Sequence, residues 1–243
     1  LRSMTTYEFI ADWVVRRLNG ESATVLDYGC GTGQIIKLLR AANIEAVGCD
    51  VFYEGGDRSN LVPTALQPFI RRMSGNVIPH TDRTFDIVVS NQVLEHVSDL
   101  EVVLQEMARV LKPGGCALNV FPDRGVWREG HCYIPLLHRF PKGTEFRIYY
   151  AAALHALGMG NERKGIPSMQ WARKWCQYLD NWTHYRGLTE IHERFGRVIG
   201  ATHHAEEEWL RARFGSRFAM LPLTLQRLLV RKLGGMVLVS VRA

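Results

Sequence analysis

Apolar positions along this chain follow two alternating periods, and their order predicts a layered α/β architecture. Phe9, Ile10, Trp13, Val14 and Leu18 fall at helical spacing, so residues 5–18 read as a leading helix. Short apolar runs then alternate with helical patterns. They give strand 24–27, helix 33–42, strand 46–50, a loop with a short helix near 61–72, an extended piece at 76–78, strand 85–90, helix 100–111 and strand 116–121. This βαβ order predicts a mostly parallel sheet with helices on both faces, right-handed crossovers and a ligand crevice at the carboxyl ends of the strands. The alternation then breaks: residues 123–187 carry helical patterns near 145–157 and 168–185, rich in aromatics. It resumes with helix 188–195, strand 197–202, helices near 205–213 and 222–233, and a last strand 236–242. Residues 1–243 are therefore expected to form a single domain with 123–187 inserted after the fifth strand.

The run Val25-Leu26-Asp27-Tyr28-Gly29-Cys30-Gly31-Thr32-Gly33-Gln34 is a strand breaking into a glycine-rich turn that opens a helix. Glycines at alternate positions let the backbone approach a ligand and leave helix N–H groups free for its polar end. A dinucleotide fingerprint needs its third glycine at residue 34 or 36, where this chain has Gln34 and Ile36, so a Rossmann oxidoreductase is disfavoured. D-x-G-x-G-x-G instead resembles motif I of the class I S-adenosylmethionine (SAM)-dependent methyltransferases. Three further segments stand in the order that family requires. Asp50 ends the apolar run Ala46-Val47-Gly48-Cys49, where a carboxylate can accept from both ribose hydroxyls. The run from Phe85 through Asn91-Gln92-Val93-Leu94-Glu95-His96-Val97 looks like the family's fourth strand and active-site edge. Val110-Leu111-Lys112-Pro113-Gly114-Gly115 looks like the turn before its fifth strand.

The resemblance implies a Rossmann-like methyltransferase fold that binds SAM and releases S-adenosylhomocysteine. It places the cofactor on Asp27, Tyr28, Gly29, Cys30, Gly31 and Gly33 of the loop, on Asp50 and Val51, and on Asn91 and Gln92. The family's acidic residue for the adenine amino group has no counterpart here, which leaves Ser74 or Asn76 to serve. Residues 123–187, whose aromatic helical patterns interrupt the alternation, are expected to form a substrate lid.

Methyl transfer to an alcohol or phenol needs a group to take the proton, and a neutral histidine is suited to it near pH 7. His96 follows the fourth strand at the crevice, while His131 and His138 flank Cys132 to Leu137 after the fifth. These three are the candidate bases. Gln92 to His96 also resembles the E-x-x-E-H segment that binds a divalent ion in ubiquinone-pathway O-methyltransferases and small-RNA 2′-O-methyltransferases. Gln92 replaces the first carboxylate, so no metal is expected; Glu95, His96 and His131, or His138 in its place, are the alternative ligand set for Mn²⁺, Fe²⁺ or Zn²⁺.

Composition narrows the class. With 243 residues, 47% hydrophobic and 22% charged, the chain can bury one substantial core. No apolar run reaches membrane-spanning length and no secretory-signal layout opens the sequence, so a cytoplasmic enzyme is expected. Leu1-Arg2-Ser3 ahead of Met4 reads as an appended remnant. The five cysteines lack any C-x-x-C pair and are expected to be reduced. Residues 123–187 hold ten Arg or Lys against five Asp or Glu, which favours an acceptor bearing carboxylate or phosphate. The expected activity is methylation of a hydroxyl on a small molecule, sugar or glycan. The alternatives are RNA 2′-O-methylation, N- or C-methylation of a small molecule, and a non-catalytic SAM-binding partner subunit. No dense basic stripe marks a nucleic-acid partner.

Overall fold

The computed structural model describes residues 4–162 and 165–243. Helix α1 (Thr6–Leu18) opens the chain. Thr5 caps it reciprocally, its Oγ1 accepting from Glu8 N while its own N–H donates to Glu8 Oε2. Then come β1 (Thr24–Tyr28), α2 (Gln34–Ala41), β2 (Glu45–Asp50), β3 (Ile70–Arg72), β4 (Phe85–Asn91), α3 (Leu100–Val110) and β5 (Leu111–Phe121). They are followed by α4 (Glu145–Ala156), α5 (Ser168–Trp182), α6 (Leu188–Val198), β6 (Thr202–His204), α7 (Glu206–Phe214), α8 (Leu223–Leu233) and β7 (Met236–Val241). The strands form one sheet in the order β3-β2-β1-β4-β5-β7-β6. Pairings among β1 to β5 are parallel, and β7 runs antiparallel to both β5 and β6.

The strands read as continuous apolar runs because both faces of the sheet are covered. Val25, Ile87, Val89 and Leu118 pack on one face with Phe9, Trp13, Ile36 and Leu39 from α1 and α2. Leu26, Val88, Ala117 and Leu238 pack on the other with Leu104, Met107, Ile191 and Phe195 from α3 and α6. Neighbouring residues such as Val25 and Leu26 thus enter different cores, as strand geometry dictates. All five cysteines are buried and free.

Three stretches differ from the expectations set by periodicity. The short helix expected near 61–72 is replaced by single 3-10 turns at Ser59–Leu61 and Gln67–Phe69, the second running into β3. Pro63 and Pro68 remove backbone donors that an α-helix needs. The strand is therefore at 70–72, paired with Gly48 to Asp50, and the extended piece expected at 76–78 falls instead on a turn bridged between Ser74 and Val77. Helix α6 extends through Val198, and Ile199 joins Ile191 and Phe195 in the core at helical spacing, which delays β6 to residue 202. Strand β5 starts at Leu111 and breaks register before Cys116. A side chain at Gly115 would stand 2.9 Å from Asp86 O and Lys112 O, so the bulge needs glycine there.

Between β5 and α6, helices α4 and α5 enclose a separate core of Cys132, Ile134, Leu137, Ala151, Trp171 and Leu179. Arg147 is buried there and paired with Asp180. Two of this segment's basic residues, Arg163 and Lys164, lie outside the described residues. The aromatic stripe on α5 divides its work: Trp171 is buried in this core, whereas Tyr178 and Trp182 face a cavity.

Candidate active site

Strand order reverses between β1 and β4, so their carboxyl ends open a crevice. A cavity of about 440 Å³ lies there, of small-molecule size. Tyr28 and Gly29 at the end of β1, Asp50 and Val51 at the end of β2, Asn76, and Asn91 and Gln92 at the end of β4 form one side. His96, His131, Tyr53, Tyr178 and Trp182 form the other.

The remaining expected cofactor positions support this wall rather than line it. Gly31 N donates to Asp50 Oδ2 at 2.8 Å, and Phe52 N donates to Oδ1 at 2.7 Å. The carboxylate is thereby aimed, with lone pairs left for a ribose. Cys30 N donates to Cys49 O, and Gly33 stands in the left-handed region (φ 79°) at the start of α2. Gly29 has φ 72°, and a Cβ there would stand 2.4 Å from Val93, so only glycine leaves this edge open. Ser74 is exposed in its turn and does not line the cavity, whereas Asn76 does. Asn91 has its Oδ1 buried without a partner. An ammonium or amide donor on a ligand would satisfy it, so the donor set suits SAM.

Asp27 is buried beneath the loop; burial, aided by the charge of Asp50, raises its carboxyl to about 8. An unfolded Asp ionises near pH 4, so between roughly pH 4 and 8 unfolding releases a proton and stability falls as pH rises. Asp27→Asn stays neutral throughout. It is expected to match wild type near pH 4 and exceed it by about 2–4 kcal/mol above pH 7, read from urea midpoints without cofactor.

Two histidines meet across the cavity. His96 Nδ1 donates to Trp182 O at 2.6 Å, and His131 Nδ1 donates to Glu129 Oε1 at 2.6 Å. With both Nδ1 positions protonated, the two Nε2 atoms face each other 3.1 Å apart. Glu129 also accepts from the backbone N–H of His131 and Cys132 and from Tyr185 OH, each at 2.7 Å. Burial works to raise the Glu129 carboxyl, but the His131 bond and these donors hold it at about 2. Burial likewise works to lower His131, and the Glu129 bond and charge outweigh it, so its pKa is raised. Burial, then the charge of His131, lowers His96 to about 4. Glu95 is buried with neither oxygen bonded to another residue, and burial raises it to about 7.

His138 does not join them. Its Nε2 donates to Arg124 O at 3.2 Å and its ring lies 4.6 Å from that of Tyr185, behind the Glu129 carboxylate. Burial rather than crevice access sets its environment, so it holds the 124 loop. Glu129, Tyr53, Tyr7 and Arg58 are site residues that no motif singles out. Glu129 stands two residues before His131, a carboxylate-to-histidine spacing that could have been read; the others have no local signal.

A glycine turn after β1, a carboxylate at the tip of β2 and a cavity spanning both define a SAM-binding class I methyltransferase domain. The methyltransferase-domain family model matches residues 3–191, and the chain belongs to that family. The ubiquinone biosynthesis O-methyltransferase of Chelativorans sp. (strain BNC1) is 27% identical over 129 residues, 51% of this chain and 51% of that protein. Its namesake in Mesorhizobium japonicum is 24% identical over 182 residues, 70% of this chain and 73% of that one. The human mitochondrial protein of that name is 34% identical over 97 residues, 37% and 26% of the respective chains. The chain thus spans about half the length of the first of these relatives. Among solved structures, an S-adenosylmethionine-dependent methyltransferase from Mesorhizobium loti shares the fold, with a TM-score of 0.52, 17% identity and coverage of 96% and 98%. The YcgJ protein of Bacillus subtilis does so with a TM-score of 0.52, 15% identity and coverage of 96% and 97%. The cofactor is SAM. No helix among the described residues is long and apolar enough to cross a membrane.

Proposed function

We propose that this chain transfers the methyl group of SAM to a hydroxyl of a small-molecule acceptor, with His131 taking the hydroxyl proton. The observation that carries the proposal is the Glu129–His131 pair at the cavity wall, its Nε2 turned inward by the Nδ1–H bond to Glu129. Bound along Gly29 and Asp50, SAM supplies a methyl carbon activated by its sulfonium, whose sulfur keeps the electron pair as S-adenosylhomocysteine leaves. His131 Nε2 takes the proton as the oxygen–carbon bond forms. Tyr53, Tyr178 and Trp182 wall off solvent, with the Tyr53 and Tyr178 hydroxyls 3.0 Å apart. Arg58 at the same wall offers a guanidinium to an acceptor carboxylate or phosphate, including that of an acidic sugar. Residues 123–187 act as the lid, since they deliver His131, Tyr178 and Trp182 to the cavity.

The facing nitrogens favour a second reading. At 3.1 Å a protonated His131 Nε2–H donates to His96 Nε2; with both Nε2 atoms unprotonated the same spacing suits two adjacent ligands about 2.1 Å from one ion. Glu95, His96 and His131 offer ligand atoms within 4.8 Å of one another. Each ring is oriented through its Nδ1–H, as metal-bound histidines are. A divalent ion there would lower the pKa of an acceptor hydroxyl.

Chelation separates the two. With a hydroxyl acceptor found by screening SAM-dependent transfer, turnover unchanged in chelator keeps His131 as the base. Loss restored by Mn²⁺ or Mg²⁺ makes both histidines ligands. Turnover of amines with none of hydroxyl compounds would sink both readings.

A further inference from the structure

The C-terminal part of the chain has a surface that methyl transfer does not use. From Trp209 to Ala243 there are seven Arg or Lys residues and no Asp or Glu, against a formal charge of +6 for the whole chain. The three acids that open α7 are each engaged by a neighbouring side chain. Glu206 is buried beside His204 at 2.7 Å, Glu207 binds Arg227 at 2.8 Å, and Glu208 lies 3.4 Å from Arg16. Among the described residues, Arg211, Arg213, Arg217, Arg231 and Lys232 form no ion pair.

Large apolar side chains stand among these cations. Met220, in the turn between α7 and α8, is 94% exposed, and Leu233 is 78% exposed. Phe214, Leu223, Leu225 and Leu228 are also exposed. Trp127 and Tyr133 add two exposed aromatics beside Lys232 and Leu233, around a neighbouring cavity of about 620 Å³. An apolar cavity of about 670 Å³ opens on the same side, lined by Trp209, Phe214, Phe218, Leu229 and Leu233. Tyr7, Asn91 and Gln92 also line it and are shared with the cavity beside His131.

We propose that the face formed by α7, α8 and their connecting turn docks on an anionic lipid bilayer. Exposed apolar residues at a turn, flanked by unpaired Arg and Lys and by Trp and Tyr, match the interface between headgroups and acyl chains. Each unpaired cation gains from the negative surface potential of such a leaflet. A second copy of the chain fits the face poorly, because a two-fold interface would set the same unpaired cations against each other. The apolar cavity then gives an amphiphilic acceptor a path from the bilayer to Gln92. That path serves the acceptor proposed above, whereas docking stands apart from it, since vesicle binding needs no turnover.

Cosedimentation of the full chain with vesicles tests this. The protein is expected to sediment with phosphatidylglycerol–phosphatidylcholine vesicles and about tenfold less with phosphatidylcholine alone, the difference shrinking as salt rises. The double variant Met220→Asp, Leu223→Asp and the charge variant Arg211→Glu, Arg217→Glu are each expected to lose about tenfold in partitioning onto the mixed vesicles. Both should keep wild-type melting temperature and SAM affinity, since these side chains are exposed. Absence of sedimentation at low salt, or equal sedimentation of wild type and both variants, overturns the proposal. So does a concentration-dependent dimer in light scattering that the Met220→Asp, Leu223→Asp variant abolishes, which would assign the face to a second copy.

Discussion

Replacing His131 with alanine is expected to lower kcat by about 10²–10⁴-fold while leaving the Kd for SAM nearly unchanged. The split follows from position: Asp50 and Gly29, the proposed cofactor residues, line one side of the cavity, and His131 stands on the opposite side. The orientation of the ring depends on Glu129, which is fully engaged by the histidine, two backbone N–H groups and Tyr185. Glu129→Gln keeps an acceptor for Nδ1–H but removes the charge that favours a protonated ring. It is expected to cost about tenfold in kcat, less than the loss of the ring itself. His138→Ala, by contrast, is expected to leave kcat within about threefold of wild type, because its Nε2 is engaged by Arg124 O. Steady-state kinetics and calorimetric SAM titration on the three variants, with melting temperatures to register any loss of fold, check the ordering. A full effect from His138→Ala with none from His131→Ala would reverse the assignment.

Asp50→Ala is expected to weaken SAM binding by about 1.5–3 kcal/mol, roughly 10–150-fold in Kd, with kcat at saturating SAM little changed. Two losses add here. The ribose hydroxyls lose a charged acceptor, and the N–H groups of Gly31 and Phe52 lose the carboxylate that fixes the loops after β1 and β2. Asp50→Asn separates them in part, since an amide can accept from only one of the two N–H groups and turns a donor toward the other. Its Kd should fall between wild type and alanine. An unchanged Kd in Asp50→Ala would mean that the carboxylate serves the loops alone.

Much of the scaffold is legible in the amino-acid sequence. The strands at 24–28, 45–50, 85–91 and 236–241 are apolar on both faces, so each announces a covered sheet without reference to its neighbours. The glycine turn and Asp50 are legible for a local reason as well, since a tight turn at positive φ and a strand-end carboxylate are conditions on a few adjacent residues. Short elements are the weak point. Strand β3 has three residues and gains its form from pairing with β2, and Ile199 reads as strand or helix until the core it enters is known.

The order of the longer elements, the mostly parallel sheet and the glycine turn after β1 thus follow from sequence alone, because they depend on periodicity and backbone conformation within short windows. The chemistry on the other side of the cavity is set by long-range packing. His96 and His131 are 35 residues apart, and Trp182, which fixes the tautomer of His96, is 86 residues from it. Whether such side chains meet depends on how the segment 123–187 packs its own core around Trp171 and seats α5 on the sheet edge. Three histidines that look alike in sequence are separated by that packing alone: two set with their Nε2 atoms facing across a cavity, and His138 turned away to a backbone carbonyl.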